Sequence, residues 1–280
     1  MERSVIMDKE RYIEYVNNNL DGKAKEYILK QIDLFYKDVE IEKNHYSIGD
    51  KVFLKRGTFL HGLGGNPDAF DWIVENGFIA NDFNGRSKNK IFNSIGMWNI
   101  KDDCYLGDYI KFYSGAVIKY EKGRGPGAVR FYDVVPFGEV EKNLIKYNNM
   151  EDVWTWYADQ TKEIRFMPSL ASNKIQIGFV LNMESDYAKE MARFDVFNKE
   201  FDEDVLKYFC MPGFLKELLT EPITPVTTDR ESAIFFGLPT RLIEGVIVGK
   251  IYENDFEKLE YIKSKLPDCY ICNVDGVVIK

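Results

Sequence analysis

The stretch that most constrains the fold is residues 51–83, which are predicted to form a strand, a glycine-rich turn and a short helix. The strand is predicted over residues 51–60, and His61 and Gly62 stand where it meets the turn. Glycine lets the backbone adopt conformations that other residues avoid, and it leaves room for a ligand beside the chain. A histidine beside such a turn therefore indicates a candidate ligand site.

The helix that follows this turn has clear start and stop signals. Asn66 is a favourable N-cap, and Pro67 suits the first helical position, so the helix N-terminus is directed toward the turn. Gly77 is predicted to end the helix. One apolar face is formed at helical spacing by Ala69, Phe70, Ile73 and Val74.

Composition indicates an ordinary folded protein. The chain has 280 residues, 45% of them hydrophobic and 29% charged, which argues against disorder. It has no apolar run of about 18 residues, and its charged N-terminus does not resemble a signal peptide. We therefore expect a cytoplasmic protein with no membrane partner. The net charge of −8 disfavours binding of nucleic acid over the whole surface, although a local basic patch could still bind it.

Hydrophobic periodicity predicts an α+β fold in two parts. Residues 1–45 are predicted to form two amphipathic helices that act as an N-terminal cap, and residues 46–280 a strand-rich domain with scattered helices. The apolar stripes of the two helices are Ile13, Val16 and Leu20, and then Ala24, Tyr27, Ile28, Ile32 and Phe35. Further strands are predicted over residues 109–113, 116–120, 129–135, 175–181 and 245–251.

The last fifty residues have the clearest pattern. A short helix is predicted over residues 231–236, followed by an apolar strand that contains Glu244. A second helix, which Pro267 ends, is predicted next. Asp275 and Gly276 then form a strong hairpin signal between two short apolar runs.

Two familiar kinds of site are excluded because the chain lacks residues that they require. The run that begins at His61-Gly62 resembles the oxyanion turn of a serine hydrolase, but no G-x-S-x-G is present and no histidine follows His61. Cys269 and Cys272 have C-x-x-C spacing without a second pair or nearby histidines, so we interpret them as structural cysteines. No metal site is predicted.

Glu244 is the most informative remaining residue. Burying a carboxylate within an apolar strand costs free energy unless the group is hydrogen-bonded or has a functional role. It could lie on an exposed strand face or pair with Arg241 or Arg230. A functional role is favoured because Gly245 and Gly237 would let a ligand approach the backbone.

Several patches taken together resemble the ADP-ribosyltransferase superfamily. They are L-H-G at His61, the helix ending in I-V-E-N-G-F-I-A, the segment G-D-Y-I-K-F-Y and the late strand L-I-E-G-V-I-V. The chain is most similar to DarT-type enzymes within the histidine-tyrosine-glutamate group. The resemblance implies a mixed-sheet, split β-sandwich fold and NAD as the substrate.

The resemblance also implies roles for individual residues. His61 would bind the ribose of NAD, and the Gly62 backbone would bind the nicotinamide amide. Tyr109 or Tyr113 would stack on the nicotinamide ring, and the choice between them stays open. Asn66 is a candidate for a second contact to the ribose or the diphosphate.

Two charged residues complete the implied site. Arg86 would bind the diphosphate, for which a guanidinium has suitable geometry. Glu244 would be the catalytic carboxylate, holding the ribose 2′-hydroxyl while an oxocarbenium-like transition state forms. Nicotinamide leaves as a neutral molecule, so no general acid is needed. Leu242 stands where members that modify arginine or asparagine often have glutamate or glutamine, which puts those acceptors in doubt.

The expected activity is mono-ADP-ribosylation of DNA or protein. One alternative is an NAD glycohydrolase, in which water is the acceptor. The other is a module that binds an ADP-ribose-like ligand or a protein partner without catalysis.

Overall fold

The computed structural model of the protein describes residues 9–63, 69–80, 83, 95–100, 102–109, 177–195, 230–249 and 252–280. These residues form an α+β fold with antiparallel and mixed sheets. Within them, no helix has the length and apolar character needed to cross a membrane.

The helices lie mainly in the N-terminal part of the described chain. They are α1 (Lys9–Asn19), α2 (Gly22–Tyr36), α3 (Ala69–Asn76), α4 (Asp186–Ala192) and α5 (Phe256–Lys265), and the 3-10 turn Thr240–Leu242. The early strands are β1 (Ser47–Ile48), β2 (Lys51–Leu54), β3 (Phe59–Gly62), β4 (Phe78–Ile79), β5 (Ile95–Asn99) and β6 (Cys104–Tyr105). The later strands are β7 (Ile177–Leu181), β8 (Arg230–Ile234), β9 (Gly237–Leu238), β10 (Ile243–Val248) and β11 (Tyr270–Asn273).

A six-stranded sheet in the order β11-β10-β7-β3-β5-β8 forms the centre of the described fold. Its neighbouring strands are antiparallel except for β10 and β11, which are parallel and are connected through α5. Three short strands pair separately in the order β1-β2-β6, and β4 pairs with β9. Strand β7 separates β3, which carries His61, from β10, which carries Glu244.

One face of the central sheet packs against the helices, and we call it the helical face. Buried side chains of all five helices and of the sheet belong to one hydrophobic core. Its strand members include Phe59, Phe179, Leu181, Ile243 and Val246. Leu60, Val180 and Ile247 are also buried but lie outside this core, as alternation along their strands requires, and they mark the opposite face.

The two N-terminal helices are confirmed, and their predicted stripes are largely buried. Val16 of α1 and Ile28 and Ile32 of α2 are fully buried. Gln31 lies on the same side of α2, where its amide accepts a hydrogen bond from Phe236 N at 2.6 Å. These helices therefore pack directly on the sheet through the shared core, while a domain boundary at residue 45 stays a prediction.

Local signals also account for several helix ends. Gly77 ends α3 with a φ of 82°, and its N–H donates to Ile73 O at 2.7 Å, as the sequence predicts. The side chain of Asp255 caps α5 by accepting from Lys258 N at 3.0 Å. At the C-terminus, β10, α5 and β11 confirm the predicted strand, helix and hairpin, and Gly276 occupies the turn with a φ of 75°.

Three sequence predictions were wrong. The strand over residues 51–60 is divided at Gly57, where φ is 91°, so that β2 and β3 join different sheets. Residues 231–236 lie partly in strand β8 rather than in a helix, because this segment pairs with β5. Tyr109 was expected in a strand, yet residues 106–109 are helical. The strands predicted over residues 116–120 and 129–135 lie outside the described residues.

Candidate functional site

Glu244 lies at an irregularity in the central sheet. The pairing of β10 with β7 shifts between Ile243 and Gly245, so one extra residue is inserted opposite Leu181 and Val180. Such a β-bulge leaves a residue unpaired and often directs a side chain differently from a regular strand. The glutamate is only 4% exposed, which makes it the one acidic side chain among the buried described residues.

The bulge decides which face of the sheet carries Glu244. Ile243 and Val246 both belong to the core on the helical face, although they are three positions apart in the sequence. In a regular strand they would point to opposite faces, so the bulge assigns Glu244 and Gly245 together to the opposite face. Tyr270 confirms this direction for Gly245, because a Cβ on that glycine would lie 2.2 Å from Cζ of the tyrosine ring.

His61 faces the other way. It is paired with Phe179 and stands two residues after Phe59, so all three side chains lie on the helical face. Its ring packs edge-on against Phe78 at a centroid distance of 5.2 Å. The structure therefore does not bring His61 and Glu244 into one cleft, since they lie on opposite faces and on strands that β7 separates.

The remaining residues that the sequence suggested divide into two groups. Gly62 is paired with Gly178 at the end of β3. Tyr109 is buried and lies in the helical residues 106–109 instead of in the strand that the sequence had predicted. Asn66, Arg86 and Tyr113 lie outside the described residues.

The chain segment before β1 crosses the region of Glu244, and we call residues 42–46 the strap. The ammonium of Lys43 donates to Arg241 O at 2.8 Å and also to Ile243 O. His45 contacts Asp268 O through Nε2 at 2.9 Å and packs edge-on against the Tyr270 ring at 5.3 Å. The strap is therefore attached to both β10 and the start of β11.

The strap also holds a second carboxylate near Glu244. The hydroxyl of Tyr46 donates to Oε2 of Glu184, and the Asn44 amide donates to the same oxygen at 3.4 Å. This hydrogen bond to Glu184 is the main reason that the pKa of Tyr46 rises to about 12. Glu184 is half-buried and follows β7 by a few residues, on the loop that runs beside the start of β10.

Electrostatics distinguish Glu244 from an ordinary surface glutamate. Burial, and secondarily the negative charge of Glu184, raises the pKa of Glu244 to about 8, while the ammonium of Lys43 lowers it. Burial likewise lowers the pKa of Lys43. Among the described residues, no donor reaches Oε2 of Glu244. The site thus holds a buried carboxyl, one oxygen of which has no hydrogen-bond partner in the part of the chain that the structure describes.

Lys43, Tyr46 and Glu184 were not predicted as site residues. Each lies in a connecting segment without a motif, and each is distant from Glu244 along the chain. The only signal for Glu184 was its acidic side chain shortly after an apolar strand. Acidic residues are common in solvent-exposed loops, so this signal did not indicate a site.

The two C-terminal cysteines are buried. Cys269 donates through Sγ to Ile243 O at 3.3 Å, and burial raises its pKa to about 11. Burial raises the pKa of Cys272 as well. Both thiols are free and largely protonated near neutral pH, which limits their reactivity. Within the described ranges, no cluster of histidine, cysteine, aspartate and glutamate side chains could hold a metal ion.

Comparison of the chain with protein-family models, curated proteins and solved structures found no match.

Proposed function

We propose that this protein cleaves the bond between nicotinamide and ribose in NAD and transfers ADP-ribose to DNA or protein, with Glu244 as the catalytic carboxylate. The observation that carries the proposal is the buried Glu244, whose Oε2 has no donor among the described residues. A ribose hydroxyl would supply the missing donor. The resemblance of several sequence patches to ADP-ribosyltransferases supports the choice of NAD.

The raised pKa of Glu244 suits a cationic substrate. In the free protein this carboxyl is mainly protonated at neutral pH, because its pKa is about 8. The pyridinium of NAD is positively charged, and a nearby positive charge favours the ionised carboxylate. Binding would therefore promote ionisation of Glu244, and the carboxylate would then stabilise the positive charge that develops on the ribose as nicotinamide departs.

The proposal depends on Glu244 and the opposite face of the sheet, and it assigns no substrate contact to His61. A histidine packed against Phe78 on the helical face does not share the environment of Glu244. The predicted contacts of Asn66, Arg86 and Tyr113 stay predictions.

The test is to incubate the full chain with NAD and to measure nicotinamide release, with labelled NAD to follow transfer to oligonucleotides and lysate proteins. We expect Glu244→Gln to reduce release by about 100-fold or more, because it removes the charge that stabilises the transition state. Glu260→Gln is the matched control, since this exposed glutamate on α5 bonds only to Lys280 in the described residues. It should leave the rate unchanged.

The possible outcomes separate the alternatives. Release together with labelled macromolecules indicates a transferase, whereas release without label transfer indicates a glycohydrolase. Binding of NAD without release indicates a non-catalytic module. Full activity of Glu244→Gln, or a wild-type protein that neither binds NAD nor releases nicotinamide, would contradict the proposal.

A further inference from the structure

Glu184 is held in a defined position beside the start of β10. Its backbone N–H donates to the side chain of Asn182 at 2.9 Å, and Asn182 N in turn donates to Leu242 O at 2.8 Å. The loop that carries Glu184 is therefore tied to the residue before β10. Glu244 is the second residue of that strand.

The side chain of Glu184 is oriented as well as located. The Tyr46 hydroxyl and the Asn44 amide both donate to Oε2. Among the described residues, the hydrogen bonds to this carboxylate all end on that oxygen, which leaves Oε1 able to accept from another molecule. Because Glu184 is half-buried, whereas Glu244 is 4% exposed, an incoming molecule can reach Glu184 from solvent.

The strap joins the chain segments that carry the two carboxylates. Lys43 donates a hydrogen bond to the carbonyl of Ile243, the residue directly before Glu244. Asn44, which follows Lys43 in the strap, donates a hydrogen bond to the side chain of Glu184. The charge of Glu184 also contributes, after burial, to the raised pKa of Glu244. A buried carboxyl and a half-buried carboxylate on adjoining segments supply the two carboxyl groups that glycosyl transfer to a hydroxyl uses.

We propose that Glu184 is the general base for the acceptor, and that the acceptor is therefore a hydroxyl group. This inference depends on the proposed function, and it assigns the second half of the reaction. The bond between the anomeric carbon and the nicotinamide nitrogen breaks, and its electron pair remains on the nitrogen. The acceptor oxygen forms the new bond to the anomeric carbon, and its proton moves to Oε1 of Glu184.

The different roles of the two carboxyl groups follow from the positions of their side chains. Glu244 lies in the sheet, where water is excluded and charge stabilisation is strongest. Glu184 lies at the rim, where an acceptor arrives. A hydroxyl is a poor nucleophile at neutral pH, and a positioned base typically accelerates such an attack by about 10²- to 10⁴-fold.

Azide provides a sharp test, because it is an anion that attacks without losing a proton. We expect Glu184→Gln to reduce nicotinamide release from NAD by at least about 10-fold. Sodium azide should restore release in this variant and yield ADP-ribosyl azide, detectable by mass spectrometry. Glu244→Gln should not be restored, because azide cannot replace charge stabilisation of the ribose. Restoration also shows that the Glu184→Gln protein is folded.

Two results would overturn the assignment while leaving the proposed function in place. One is wild-type activity in Glu184→Gln, and the other is a Glu184→Gln defect that azide does not restore. A wild-type protein that releases no nicotinamide would overturn both the assignment and the proposed function. Tyr46→Phe, which removes one hydrogen bond to Glu184, should cause a smaller loss than Glu184→Gln and should also respond to azide.

Discussion

The surroundings of His61 and of Glu244 differ although both residues lie in the same sheet. His61 is half-buried and packs against Phe78 and beside Phe179, which belong to a core composed largely of aromatic and aliphatic side chains. Glu244 lies on the opposite face, where burial, and secondarily the charge of Glu184, raises its pKa. The role of a polar residue in an apolar strand therefore depends on the face of the sheet that it occupies and on its neighbours.

The largest expected effect concerns the pH dependence of stability. The pKa of Glu244 is about 8 in the folded protein against an ordinary value of 4.5, so the folded state binds this proton more tightly. Its contribution to stability is fully present below pH 4.5 and is lost as the pH rises through 8.

Glu244→Gln should therefore become more stable relative to wild type as the pH increases from 5 to 8. The limiting slope is about 1.4 kcal/mol per pH unit, measured by urea unfolding across this range. Glu260→Gln serves as the control, and its stability should follow that of wild type. A constant difference between Glu244→Gln and wild type would mean that Glu244 is not held protonated.

A smaller effect is expected from adding a side chain at Gly245, next to Glu244. Gly245→Ala should destabilise the protein by about 1–3 kcal/mol, because its Cβ would lie 2.2 Å from the buried Tyr270 ring. Urea unfolding at fixed pH measures this change. The double variant Gly245→Ala/Tyr270→Leu should lose less than the sum of its single variants, because leucine lacks the ring atoms that clash. Additive losses would show that Tyr270 does not limit the space at Gly245.

The smallest expected effect separates the two faces directly. His61→Phe retains a ring against Phe78 but removes the nitrogens that would bind a ribose. We expect kcat and KM for nicotinamide release to change by less than about twofold, in contrast to the loss in Glu244→Gln. A loss of comparable size in His61→Phe would show that the histidine contributes to the same reaction despite lying on the helical face.

Much of the fold was predictable wherever the signal is local. The apolar spacing of α1 and α2 predicted helices whose stripes are buried, and Gly77 predicted the end of α3. Asp275-Gly276 likewise predicted the final turn. These features depend on residues within a few positions of one another, so a short stretch of sequence is enough to predict them.

The errors arose where strand pairing decides the conformation. Residues 231–236 contain an apolar run of only four residues, 233–236, which is too short for its periodicity to distinguish helix from strand. Strand β8 forms because this segment pairs with β5. Gly57 separates β2 from β3 because these strands pair with different partners. No local pattern contains that information.

The candidate site shows the same division. The apolar residues around Glu244 and Gly245 are enough to predict a strand there, and hence that a carboxyl in it would be costly to bury. The face that Glu244 occupies depends on strand pairing, because a one-residue bulge against β7 reverses the alternation. Only the tertiary structure brought Lys43 and Glu184 to it, since packing joins segments that the chain separates by 60 residues or more.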